Sequence, residues 1–155
     1  MREKTPHGDK FHFMIVKPSH YDDDGYVIQW FRSTIPSNTL AILYGLGMDC
    51  AGRNVLGEDV EVILHAYDET NTRINIKKMV KTIQASGGHG LAAMAGVQSN
   101  QYPRAMDIAR QFRAEGIQVC IGGFHVSGCF AMLPELPSDL QEALDLGISL
   151  YAVRP

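Results

Sequence analysis

Cysteine is scarce in this chain. Only Cys50, Cys120 and Cys129 occur among 155 residues. An odd number without paired spacing fits reduced thiols in a cytoplasm rather than a disulfide framework. It also lacks the spacing of a zinc or iron–sulfur site. Positive charge is in short supply as well. Lys plus Arg is 14 against 17 Asp plus Glu, a formal net charge of −3, and no basic patch or basic helix face stands out. A nucleic-acid partner is therefore not expected. No apolar run approaches the roughly 20 residues a membrane span requires, and the polar start MREKTPHGDK has no signal-peptide core. Repeats and low-complexity segments are missing too.

Several motifs are absent with them. No G-x-x-x-x-G-K-[ST] phosphate loop occurs, and no G-x-S-x-G nucleophile elbow. Gly45, Gly47 and Gly52 lie within and after an expected helix. Gly87, Gly88 and Gly90 precede an expected strand, so neither set is a dinucleotide fingerprint. The six histidines, His7, His12, His20, His65, His89 and His125, show no H-E-x-x-H spacing. Ser99, Ser127, His20, His125 and the aspartates could meet at one edge, but no triad can be assembled from spacing alone.

What is present is a strand–helix–strand unit over residues 90–128. Residues 91–97 form a short apolar run, and 98–102 a polar break. Pro103 suits the first turn of a helix. Ala105, Ile108, Ala109 and Phe112 then recur at i, i+3, i+4 and i+7, one apolar helical stripe. Gly116 is placed to end that helix, and residues 117–121 read as a second buried strand. Parallel strands with a right-handed crossover follow.

The rest of the chain repeats the alternation. Residues 1–10 read as a lead-in to a single domain over 11–155, with a first strand at 11–17 stopped by Pro18. Asp22, Asp23 and Asp24 either cap a following helix or belong to a metal or phosphate-relay pocket. That helix is expected to carry Val27, Trp30 and Phe31 on one face. A second helix, from Thr39 to about Met48, is apolar almost all round and is expected to be buried. Strand two is expected at 60–65. Ile76, Met79, Val80 and Ile83 mark another amphipathic helix. Residues 129–137 read as a loop, Ser138 as the cap of a short helix ended by Gly147, and 148–153 as strand five.

Five strands alternating with helices predict a three-layer, flavodoxin-like α/β domain, a five-stranded parallel sheet of order 2-1-3-4-5 covered on both faces. Ligands of such sheets sit beyond the carboxyl ends of the strands. Here that crevice gathers residues 18–25, 98–102 and 122–129. A response-regulator receiver shares the topology, but it needs an aspartate ending strand three, where Gln98-Ser99 stand, and a lysine ending strand five. Gly122-Gly123 either makes a tight turn or lets a ligand approach the backbone.

Val97, Ser99, Gly122, Gly123 and His125, with the proline-led segment 35–45 and residues 68–72 after strand two, resemble the N-terminal cobalamin-binding domain of radical SAM enzymes. The likeness covers roughly residues 11–150. It implies a corrinoid over the carboxyl edge, its nucleotide tail beside strands three and four. Ser99 would face that tail and Gly122-Gly123 would make room for it. The implied cofactor-binding set is His20, Tyr21, Gln98, Ser99, Asn100, Gly122, Gly123, Phe124 and His125. His20 is the implied metal ligand, with Asp22 or Asp23 orienting its ring, and His125 a residue that holds its loop. The wider corrinoid fold carries D-x-H-x-x-G here; in this chain Pro18 replaces the aspartate and Gly25 lies five residues on.

The C-x-x-x-C-x-x-C loop of radical SAM catalysis is absent, so the chain is expected to hold no iron–sulfur cluster and no catalytic residue of its own. It looks like an isolated domain, a fragment or a truncated product, whose implied partners are a radical SAM catalytic domain or a second copy. Two other readings stay open: a small metal-dependent hydrolase using His20, Asp22–Asp24 and His125, and a docking domain that has lost its ligand.

Overall fold

The computed structural model describes residues 9–31 and 36–153. His7, Ile35 and most of the expected lead-in lie outside these. Strand β1 (Asp9–Lys17) is followed by α1 (Asn38–Gly52), β2 (Val60–Asp68), α2 (Ile76–Gln84), β3 (Gly90–Met94), α3 (Tyr102–Ala114), β4 (Gln118–Gly122), α4 (Phe124–Met132), α5 (Ser138–Asp145) and β5 (Ser149–Tyr151). The strands form one sheet of order β2-β1-β3-β4-β5, and every pairing is parallel. This is the flavodoxin-like topology that the alternation predicts.

The main core lies on one face of the sheet. Met14 and Val16 of β1, Ala92 and Met94 of β3, and Val119 and Ile121 of β4 point there, in the period-two spacing of a strand. Met79, Val80 and Ile83 of α2, the α3 stripe ending in Phe112, and Leu140 and Ala143 of α5 close over them. Gly116 (φ 75°) and Gly147 (φ 73°) end α3 and α5 in the left-handed region that favours glycine. Asn75 caps α2 by accepting from the Lys78 amide, and Ser37 caps α1 by accepting from that of Leu40.

Four local expectations are corrected. Residues 26–31 are not a helix. Asp22 Oδ1 accepts from the amides of Asp24 and Tyr26, and Gly25 (φ 85°) turns the chain so that Tyr21 bridges Val27 antiparallel. Trp30 and Phe31 consequently lie on the surface. Residues 124–132 are helix α4 rather than loop. Ser138 is the first helical residue of α5, and Pro137 holds the cap position without a side-chain hydrogen bond.

The fourth correction concerns α1, the only described helix on the opposite face. Its Gly47 is buried because a Cβ there would meet Leu64 and Phe13 of β2 and β1. Ile42, Tyr44, Leu46 and Met48 face outward and are exposed. All-round apolarity therefore does not mean burial here. One side of α1 packs on the β1–β2 edge, and no described element covers the other.

At the amino ends of the strands, His12 is 4% exposed. Its ring nitrogens are hydrogen bonded to His65 Nε2 and Ser86 Oγ, both at 2.9 Å. Burial, then the neighbouring His65 and Lys10, hold the His12 pKa below 6.5, with Glu61 opposing; burial also lowers His65. A lowered folded value means the unfolded chain binds the proton more tightly. The stability from this neutral pair is thus whole above 6.5 and is lost as pH falls from there through the folded values. Chemical denaturation from about pH 7.5 to about pH 5.5 should show a falling midpoint, and His12→Gln with His65→Gln should flatten the dependence.

Candidate functional site

The carboxyl ends of β1, β3 and β4 are tied into one platform. Gln101, buried in the β3–α3 loop, donates from Nε2 to the Pro18 carbonyl at 2.9 Å and accepts from the Gln98 amide at Oε1. The Val97 amide donates to Gly122 O, and the His125 amide donates to Val97 O at 3.0 Å. The three loops expected to form the crevice therefore touch.

His125 sits at its centre, with a side chain 15% exposed. Nδ1 lies 3.1 Å from Ser99 Oγ, and Nε2 lies 3.3 Å from Asp139 Oδ2. Cys129 Sγ is 4.0 Å from the same Nε2, and the Tyr102 ring packs at 4.4 Å between centroids. Sequence spacing pointed to Ser99 and His125. It gave no sign of Asp139, Tyr102 or Cys129, which come from α5, α3 and α4. Desolvation and then Asp139 raise the Cys129 thiol pKa, and burial pushes the Cys120 thiol up to about 11. Both are held as thiols rather than thiolates near neutrality.

At Gly123 the fold itself calls for a glycine. Gly123 has φ 149°, and a Cβ there would lie 2.1 Å from Val97 N and 2.6 Å from Val97 O. The backbone that approaches this glycine is the protein's own. Gly122 would place a Cβ 3.4 Å from Tyr151 Cβ, an ordinary contact. Gln98, Ser99, Asn100 and Phe124 are exposed along the rim.

The loop after β1 divides its residues. Among the described residues, the His20 side chain makes no hydrogen bond; its carbonyl accepts from the Ile28 amide. Asp22 spends Oδ1 on its own turn, and no hydrogen bond joins it to the His20 ring. Tyr21 is committed elsewhere, its hydroxyl donating to Asp107 Oδ2 on α3. No described group of three or more His, Cys, Asp or Glu residues is arranged to hold a metal ion.

Beneath this loop lies a network that spacing did not reveal. Glu69, 1% exposed at the end of β2, accepts from Arg104 through both oxygens and from the Ser19 amide at 3.0 Å. Burial works against the Arg104 charge, but the Glu69 carboxylate and the Tyr21 hydroxyl more than offset it, and the arginine pKa is raised. The only sequence signal was an acid directly after a strand with an arginine off the apolar stripe of α3.

The class that this fold defines is the flavodoxin-like α/β domain, a five-stranded parallel sheet of order 2-1-3-4-5. Compared with known proteins, the chain matches no protein-family model, no curated protein and no solved structure. No helix among the described residues is long and apolar enough to cross a membrane.

Two substitutions probe this platform. Gly123→Ala combines a backbone region closed to side chains with a collision against backbone, and should cost at least about 2 kcal/mol. Glu69→Gln leaves Arg104 without its counter-charge and should cost about 3 kcal/mol. Denaturant midpoints at constant slope check both.

Proposed function

We propose that this chain is a corrinoid-binding module that carries its cofactor at the carboxyl edge and is not catalytic alone. The observation that carries the reading is His20. It stands three residues after β1, at the switch point where β1 and β3 lead their connections to opposite sides of the sheet. Its imidazole is uncommitted within the described chain, whereas every neighbouring polar group that fixes the loop is engaged. A neutral imidazole is a suitable donor to a borderline metal such as cobalt.

The remaining candidates fit such a group in distinct ways. Ser99 and Asn100 are exposed at the rim, and Phe124 offers an exposed ring. On the α1 face, β3 and β4 present small side chains side by side, Ala93 against Cys120 and then Gly122. A nucleotide tail running beside these strands would lie over them. Gly122 serves this reading by being small; Gly123 serves it indirectly, by setting the position of the 97–99 backbone. His125 acts as a holding residue for Ser99. A corrinoid supplies a cobalt centre when bound, and the residues here hold and orient it.

The metal-dependent hydrolase is the weaker reading, because His20, Asp22–Asp24 and His125 form no metal-holding group and Asp22 is spent on a turn. The outward row of α1 suits a partner such as a radical SAM catalytic domain or a second copy.

Titration with hydroxocobalamin, followed in the visible spectrum, should give a saturable shift, and His20→Ala should weaken binding by roughly tenfold or more. Electron paramagnetic resonance of the Co(II) form should show axial nitrogen splitting that His20→Ala removes. Splitting that survives the substitution, or no spectral change on titration, rejects the assignment.

A further inference from the structure

A cavity lies on the α2–α3 side of the sheet, beside the Glu69–Arg104 pair. It has a volume of about 720 Å³ and is walled by the loop after β1, the β2–α2 connection, the start of α2 and one flank of α3. That volume is within the range of small-molecule sites, about 300–1,000 Å³.

Its charge is opposite to that of the whole chain, which is −3. Arg73, Lys77 and Arg104 line it, and Glu69 is the only acid in the wall. Glu69 is already neutralised by Arg104 and by the Ser19 amide. Arg73 and Lys77 make no ion pair or hydrogen bond through their side chains among the described residues, although the chain carries a surplus of acids. Asp22, Asp23 and Asp24 are close in sequence to Tyr26 but are not part of the wall. Helix α2 adds to the same field. Its first turn contains no acid, and its cap, Asn75, is uncharged. The rest of the lining is mixed, with Tyr26, Val27 and Gln29. Two uncommitted cations beside a space that an aromatic residue also lines are the chemistry of phosphate-ester recognition.

We propose that this cavity binds a small organic phosphate monoester. Arg73 and Lys77 hold the phosphate, and Tyr26 with Gln29 receives the organic part. Arg73 and Lys77, the residues that hold the phosphate, are not among those of the corrinoid reading, so the two are tested separately.

Calorimetric titration of the whole chain with adenosine 5′-monophosphate and with inorganic phosphate tests it. The monoester should bind saturably, and more tightly than inorganic phosphate. Arg73→Ala combined with Lys77→Ala should weaken it about tenfold or more, at unchanged circular dichroism and an unchanged hydroxocobalamin titration. Lys78→Ala combined with Lys81→Ala, on the same helix but off the wall, should leave it unaltered. No saturable binding overturns the site. So does equal affinity in the Arg73/Lys77 variant, or an equal loss in the Lys78/Lys81 variant. Inorganic phosphate binding as tightly as the monoester overturns the role given to Tyr26 and Gln29.

Discussion

The carboxylate of Glu69 decides how the carboxyl edge is assembled. It is reached from three directions: the Ser19 amide from the loop after β1, Arg104 from α3, and its own backbone from the end of β2, whose amide donates to Lys17 O. Gln29 Nε2 adds a bond to its carbonyl, and the Trp30 amide reaches the neighbouring Thr70 carbonyl. A buried ion pair of this kind contributes little net stability over an apolar alternative, because desolvation offsets most of the attraction. Its effect is positional. An unpaired Glu69 or Arg104 would be costly, so arrangements that separate β2 from α3 are disfavoured strongly, and the loop that presents His20 is held where the strands need it.

Much of the fold was legible in the sequence because it rests on period. The stripes Ile76–Met79–Val80–Ile83 and Ala105–Ile108–Ala109–Phe112 are buried as their spacing predicts. The strand order follows from the alternation of parallel strands and crossovers. Where period was lacking, the reading failed. Helix α4 (FHVSGCFAM) has apolar residues on every side and a central glycine, so no stripe marks it. Helix α1 has the same character, and its environment is set by how much of the sheet lies beneath it. At 26–31 the spacing of Val27, Trp30 and Phe31 imitates a helical face. The Asx turn at Asp22 and the tie from Trp30 to Thr70 prevail instead, because they satisfy backbone groups locally.

The candidate site was legible in a different measure. Ser99, Gly122, Gly123 and His125 could be named because they stand at strand ends, and the structure does gather them. Their partners could not be named, since Asp139 and Tyr102 reach His125 from helices whose packing no spacing rule describes. Gly123 shows that a glycine at a strand end can answer to the fold itself. A glycine at a strand end signals that something comes close to the backbone, and only the coordinates distinguish a ligand from the next loop.

The two faces of the sheet differ in what they leave open, and this bears on where chemistry can occur. On the α2–α3–α5 face the buried side chains are closely packed, and an open space lined by Arg73, Lys77 and Arg104 stands at the helix ends. On the α1 face the strands β3, β4 and β5 mix small side chains (Ala93, Cys120, Gly122, Ser149) with larger ones, Leu91, Gln118 and Tyr151. Ala93 is nonetheless buried, and burial raises the Cys120 thiol pKa, so the chain itself shields this part of the strands. The outward row of Ile42, Leu46 and Met48 on α1 lies exposed on the same side. The described residues thus leave two features uncovered, the His20 imidazole at the carboxyl edge and the outward row of α1, and these are where the proposed reading places its contacts.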